Sequence, residues 1–236
     1  AMSQAYLTID DSPSKITPAL VDYLCAKGIV PELNFIGAAI DSHFDEALYA
    51  IKKGAIIGNH SYMHDGFSTL TLAQCRNEIA RTEEKIDQLY QCAGMERKHR
   101  FFRFPYGDKG GDNAPALQKM LRDEFHFERM DDSKINFPFG KKYNLDTDVD
   151  ILWTFDFVEY QLAWDNDYTW DSIVKTIWDM HPAQGGPLLA EDATNIVLLH
   201  DHEATNAVLP EYYKKLIDYV MELGVEFLPP SFVACP

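Results

Sequence analysis

Asp10 and Asp11 stand side by side at the end of the apolar run Leu7-Thr8-Ile9, and Ser12-Pro13 turns the chain directly after them. Adjacent carboxylates repel each other, and neither side chain can be buried without a partner. The pair therefore calls for positive charge, from a metal ion or an arginine. His60 and His64 follow the run Ala55-Ile56-Ile57-Gly58 at a spacing of four. On one face of a helical turn, both imidazoles would reach a single ion. A carboxylate of the aspartate pair completes three protein ligands and leaves positions open for water and substrate, the mark of a catalytic site. Imidazole with carboxylate suits Zn, Co, Ni, Fe or Mn better than Ca or Mg. The other aspartate stays free to take a proton from the metal-bound water. Arg103, within Phe101-Phe102-Arg103-Phe104, can hold that second carboxylate ionised and aimed.

The elements that must carry these residues are legible in outline. After the first strand, Thr17 stands as N-cap of a helix with Pro18 at its first position, and Gly28 stops it. Residues 33–36, 55–58, 101–104, 125–130, 152–155, 196–199 and 225–228 read as strands. Helices are expected over 45–53, 113–122, 169–180 and 211–223. Another opens at the capping box of Thr71 and Gln74 and carries Leu72, Cys75, Ile79, Ile86 and Leu89 at helical spacing. The polar stretch 131–150 reads as a long loop. Near-continuous apolar strands alternating with helices indicate a parallel sheet covered by helices, as a barrel or an open doubly wound sheet. No linker divides residues 1–236, so one domain is expected. In both architectures ligands bind at the carboxyl ends of the strands. There lie Asp10 and Asp11, His60 and His64, Arg103, and His200-Asp201. Alternation along the first strand starts the two aspartates on opposite sides.

Composition narrows the partners. The 236 residues are 46% hydrophobic and 13% aromatic, enough for a sizeable core and incompatible with a disordered chain. Lys and Arg number 21 against 37 Asp and Glu, a net charge of −16, which argues against nucleic acid and anionic membranes as partners. No apolar run approaches the roughly 18 residues of a membrane span, so no membrane insertion is expected. Cys25, Cys75, Cys92 and Cys235 are scattered and read as reduced. Ala1 before Met2 reads as an added residue. With Met2 as the natural start the expected location is cytoplasmic; with a leader removed it is periplasmic or secreted. Oligomeric state is not legible.

The polar clusters, taken in order, resemble the polysaccharide deacetylases with a NodB-homology domain, carbohydrate esterase family 4. Thr8-Ile9-Asp10-Asp11-Ser12-Pro13 is similar to the family's T-F-D-D-G-P, and His60-Ser61-Tyr62-Met63-His64 to H-[ST]-x-x-H. Arg103-Phe104-Pro105-Tyr106 matches R-x-P-Y, Asp156-Phe157-Val158-Glu159-Tyr160 looks like D-x-x-D-W, and Leu198-Leu199-His200-Asp201 matches L-x-H-D. The resemblance runs from residue 7 to about 228. It implies an α/β fold, a distorted (β/α) barrel of about seven parallel strands. It also implies a hydrolase dependent on one divalent metal ion, Zn by preference, that removes N-acetyl groups from an amino-sugar polymer or oligosaccharide of chitin or peptidoglycan type. By carry-over, Asp11, His60 and His64 hold the metal and Asp10 is the general base. His200 protonates the leaving amine, Arg103 orients Asp10, and Glu159 tunes His200. The backbone N–H of Tyr106 helps the metal stabilise the oxyanion, Leu198 walls the acetyl pocket, and Tyr160 lines the groove.

Departures from the family pattern include Ser12 for Gly, Glu159 for Asp and Tyr160 for Trp. None removes a ligand or proton-transfer group, but each bears on substrate choice. The same site could act on an O-acetyl ester or a small cyclic amide such as a ureide. A catalytically silent carbohydrate-binding relative is disfavoured, because such a protein has no physical need for both base and acid. Trp164 is the aromatic expected to stack on sugar, while Trp170 and Trp178 are expected in helix core. Asp146, Asp148 and Asp150 imitate a calcium loop, but Ile151 and Phe157 occupy its sixth and twelfth positions, so the segment reads as solvated loop. His202 and Glu203 read as surface loop residues. His43, His99, His126 and His181 receive no role.

Overall fold

The protein is described by a computed structural model covering residues 3–135 and 138–235. The expectations for Ala1 and Met2, and the part of the 131–150 loop at 136–137, lie outside the described residues. Strand β1 (Gln4–Ser12) is the axis of the fold and is buried along nearly its whole length. Its Ala5, Leu7 and Ile9 pack outward into the main core with Leu20, Val21 and Leu24 of helix α1 (Thr17–Ala26). Tyr6, alternate in the pleat, instead joins an inner cluster with Phe101, Ile151 and Ile196. Strand β2 (Glu32–Phe35), helices α2 (Gly37–Ser42) and α3 (Phe44–Lys52), and strand β3 (Ile56–Asn59) follow.

Helix α4 (Leu72–Ala93) starts at the expected capping box, with reciprocal bonds between Thr71 and Gln74. It buries Cys75, Ile79, Ile86 and Leu89. Helix α5 (Ala114–Lys119) runs into a π-helical turn at Met120–Glu124. Then come β4 (Arg129–Met130), α6 (Pro138–Lys142), β5 (Phe155–Asp156), α7 (Trp170–Trp178) and β6 (Thr194–His200). The chain ends with α8 (Glu203–Val208), α9 (Tyr212–Glu222), β7 (Glu226–Phe227) and β8 (Phe232–Val233).

The sheet order is β3-β2-β1-β6-β5, all parallel, with β7 joining the start of β1 at Gln4 and Ala5. Single backbone contacts carry the sheet further round. Phe102 bridges Asn59 in parallel, Ile151 N–H donates to Phe102 O at 2.9 Å, and Thr154 N–H donates to Ile196 O at 2.8 Å. The result is a distorted parallel barrel wrapped by helices, with β4 and β8 as an antiparallel pair outside it.

Several local expectations change. Residues 101–104 contribute only the bridge at Phe102, because Pro105 lacks an N–H and opens a 3-10 turn, Pro105–Gly107. Thr17 does not cap α1; its hydroxyl accepts from Ser14 N–H and donates to the Asp201 carboxylate. The long loop holds helix α6. Trp170 packs edge-on against Tyr219, but Trp178 is about half exposed and donates its indole N–H to Tyr219.

Candidate active site

Strand register assembles the first row of the site. Asp10 on β1 stands opposite Asn34 on β2 and His200 on β6. Its Oδ1 accepts from Asn34 Nδ2 at 2.8 Å and from Arg103 Nη1 at 3.0 Å. Arg103 is almost fully buried and also donates to Thr8 Oγ1 and Ile151 O. Burial opposes ionisation of Asp10, but Arg103 and His60 overcome it and hold the carboxyl below its ordinary value. Asp10 is therefore an oriented carboxylate, as a base requires. Gly58, beside Asn34 in β3, makes this row possible: a Cβ there would lie 2.2 Å from Asn34 Oδ1 and 2.3 Å from the Phe101 ring.

Simple alternation would send Asp11 outward with Ile9. Instead, β1 shifts register between Asp10 and Ser12, and Asp11 adopts φ 73°, so its side chain turns back to the rim. Asp11 Oδ1 stands 3.4 Å from His60 Nε2 and 3.3 Å from His64 Nε2. It is buried and has no hydrogen-bond partner.

The two histidines are not on a helical turn, contrary to the spacing argument. Residues 60–66 form a loop in which Ser61 (φ 67°) and His64 (φ 61°) are left-handed. Side chains replace helical bonds here. Ser61 N–H donates to Asn59 Oδ1, His64 N–H to Ser61 Oγ, and Met63 N–H to Glu78 of α4. Asn59 is anchored in turn by Ile79 O and Glu83 of α4. With Asp11 and Tyr106 (φ 60°), four non-glycine site residues occupy a conformation costing of order 1–3 kcal/mol each. Such strain persists only where surrounding bonds over-determine it.

These donors fit a metal ion. Ligands held at about 2.0–2.2 Å from one tetrahedral ion stand roughly 3.3 Å apart, and the Asp11 to histidine separations are 3.3 and 3.4 Å. One oxygen or nitrogen from each of Asp11, His60 and His64 lies within 4.8 Å of the others. His60 presents Nε2 because its Nδ1–H donates to Arg103 O at 2.7 Å, the outer-sphere bond that orients ligating imidazoles. Burial opposes ionisation of Asp11 as well, but the hydrogen bond from His202 and the nearby His60 imidazole hold it well below its ordinary value. Burial would lower the His60 pKa, yet Asp10 and Asp11 raise it. Burial keeps that of His64 low. In the metal-free site the two aspartates thus favour a proton on His60.

Across the cleft, His200 Nδ1 pairs with Glu159 Oε1 at 2.7 Å, and His200 N–H donates to the same oxygen at 2.8 Å. Glu159 is fully buried, at the start of a 3-10 turn that follows the left-handed Val158. Its longer arm reaches the imidazole directly. Burial works against a charge on His200, but Glu159, aided by Asp11 and Asp156, pushes its pKa up to about 10. Asp156 is itself pushed up to about 6 by burial and by Glu159.

The cleft of about 620 Å³ is lined by Asp10, Asp11, His60, His64, His200 and Leu198. Tyr106, Trp153, Tyr160 and Trp164 complete its walls with Asp156 and His202. Tyr106 and Trp164 are strongly exposed at 72% and 76%, Tyr106 lies edge-on to His64, and Tyr160 edge-on to His200. Every residue given a site role from the sequence thus lines the cleft or, for Arg103 and Glu159, stands directly behind it. Sequence reasoning missed Asn34, Trp153 and the α4 glutamates. Asn34 was findable as a polar residue inside an apolar strand. Asp156, the first residue of the fourth motif, also lines the cleft. His202 is a correction: it is no bystander on the surface, since its Nε2 meets Asp11 Oδ2 at 2.5 Å.

Fold and rim together define a barrel of the NodB-homology class. The family model for polysaccharide deacetylase matches residues 2–122, and the chain belongs to that family. A peptidoglycan-N-acetylglucosamine deacetylase of Bacillus cereus is 30% identical over 107 residues, 45% of this chain. That match covers 37% of the relative, so the chain spans well under half its length. The crystal structure of the Bc1960 peptidoglycan N-acetylglucosamine deacetylase superposes with a TM-score of 0.61 at 18% identity, covering 96% of this chain and 85% of that one. A family 4 pseudoenzyme from Bacillus anthracis superposes at 0.59 with 18% identity, covering 95% of this chain and 63% of that one. At such identities the superpositions speak for the fold alone.

Proposed function

We propose that this protein is a metal-dependent deacetylase that removes N-acetyl groups from an amino-sugar polymer or oligosaccharide. The observation that carries the reading is the buried, unpartnered Asp11 Oδ1 facing two imidazole nitrogens, with a steadied carboxylate and a charged imidazole at its sides. Zn is the ion this donor set favours. When bound, it would supply Lewis acidity and make a water nucleophilic at neutral pH.

The chain's own residues supply the rest. Asp10, held by Asn34 and Arg103, takes the proton from the attacking water. His200, kept charged by Glu159, delivers a proton to the leaving amine. The N–H of Tyr106 is the proposed second donor to the oxyanion. Leu198 bounds the acetyl pocket, and the exposed faces of Tyr106 and Trp164 offer stacking surfaces for sugar rings. An open cleft rimmed by exposed aromatics favours a polymer over a small cyclic amide, which needs no such rim.

The experiment is acetate release by Zn- or Co-loaded protein from acetylated chito-oligosaccharides, peptidoglycan fragments and acetylated xylan, with cyclic ureides as control. Asp10→Asn and His200→Ala should each lower turnover by 10²–10⁴-fold. Turnover indifferent to both substitutions would sink the mechanism, and no turnover of any substrate would favour a silent carbohydrate-binding relative.

A further inference from the structure

The second oxygen of Asp11 has a partner that neither the motifs nor the metal triad accounts for. His202 Nε2 lies 2.5 Å from Asp11 Oδ2. An ionised carboxylate can only accept, so Nε2 must carry the hydrogen. Oδ1, by contrast, has no hydrogen-bond partner and faces His60 and His64. The two oxygens of one carboxylate are thus divided between two tasks.

We propose that His202 is a positioning residue for the metal ligand Asp11: by clamping Oδ2 it holds the carboxylate so that Oδ1 alone faces the ion. The inference rests on the metal reading above and concerns how that site is built. The backbone supports it. His202 N–H donates to Tyr212 Oη at 3.1 Å, and the same hydroxyl donates to His200 O. Tyr212 is buried at the start of α9, so one phenol fixes the turn that carries both the acid, His200, and the clamp, His202. Their rings pack with centroids 5.2 Å apart. The lone strained residue of β1, Asp11 at φ 73°, gains a second restraint from this contact. A carboxylate restricted to one oxygen keeps a coordination position open for water and substrate, and bonds to a ligating carboxylate of this kind tune metal affinity.

The test is Zn affinity, measured on metal-free protein by competition with a chromophoric chelator. His202→Phe keeps a ring to pack on His200 but offers no donor, and His202→Gln places an amide N–H near the position of Nε2. His202→Phe should bind Zn about 10–100-fold more weakly, with His202→Gln recovering to within about threefold of wild type. Wild-type affinity in His202→Phe would overturn the proposal. Affinity in His202→Gln as weak as in His202→Phe would also overturn it, since the imidazole would then be acting as a ligand. Asp11→Ala separates the two levels: if it binds Zn as tightly as wild type, the metal reading itself has failed.

Discussion

Ser12 Oγ donates to Asp201 Oδ2 at 2.7 Å, tying the end of β1 to the residue just beyond β6. Ser14 and Thr17 hydroxyls donate to the same carboxylate, each at 2.6 Å. Ser12, a departure in the first motif, is therefore one of three buried hydroxyls that satisfy a buried aspartate directly behind the rim. Asp201→Ala should destabilise the protein by about 3 kcal/mol and Ser12→Ala by about 1 kcal/mol, at roughly 1 kcal/mol per bond. Urea unfolding measures both, and unchanged midpoints would show that the cluster carries no stability.

Glu159 sets the charge of His200, so it should set the alkaline limit of activity. His200 works as an acid below its pKa, and Glu159 raises that pKa. Glu159→Gln should move the alkaline limb of kcat/KM to lower pH while the acid limb stays in place. In the metal-free protein the same pair has a stability signature. A histidine whose folded pKa is raised to about 10 contributes stability that is complete below its unfolded value of about 6.5. That contribution is lost as pH rises through the folded pKa. Thermal melts from pH 6 to about 10 should fall less steeply for Glu159→Gln than for wild type.

Zn uptake should release protons. The aspartate pair raises the His60 pKa in the metal-free site, and a ligating imidazole must be neutral. Titration calorimetry in buffers of differing ionisation heat should show proton release that grows as pH falls. Affinity should fall in the same direction. Binding heats independent of buffer would mean that His60 is already neutral.

Gly58→Ala tests the row that steadies Asp10. The added methyl meets Asn34 and Phe101 well inside contact distance, an overpacking that costs about 1–3 kcal/mol. Displacing Asn34 misaims the base, so kcat/KM should fall by up to about 100-fold. Zn affinity should hold, because the atoms nearest the added methyl belong to Asn34 and Phe101 and not to the three ligands. Loss of Zn with activity would place the damage in the metal site instead.

Residue types and spacings alone determined that Asp10, Asp11, His60, His64, Arg103 and His200 would gather at the carboxyl ends of parallel strands. That follows because each stands near the end of an apolar run or in the turn after it, and such runs in β–α alternation admit few arrangements. What the pattern could not decide was direction. Asp11 points into the site through a bulge and a left-handed φ, and His64 through a loop held by α4. Both are set by contacts with residues far away in sequence. Asn34 met Asp10, and His202 met Asp11, for the same reason: register between neighbouring strands and the anchoring of Tyr212 are tertiary facts. Local periodicity says which residues reach the rim, whereas packing between elements decides which way each one faces.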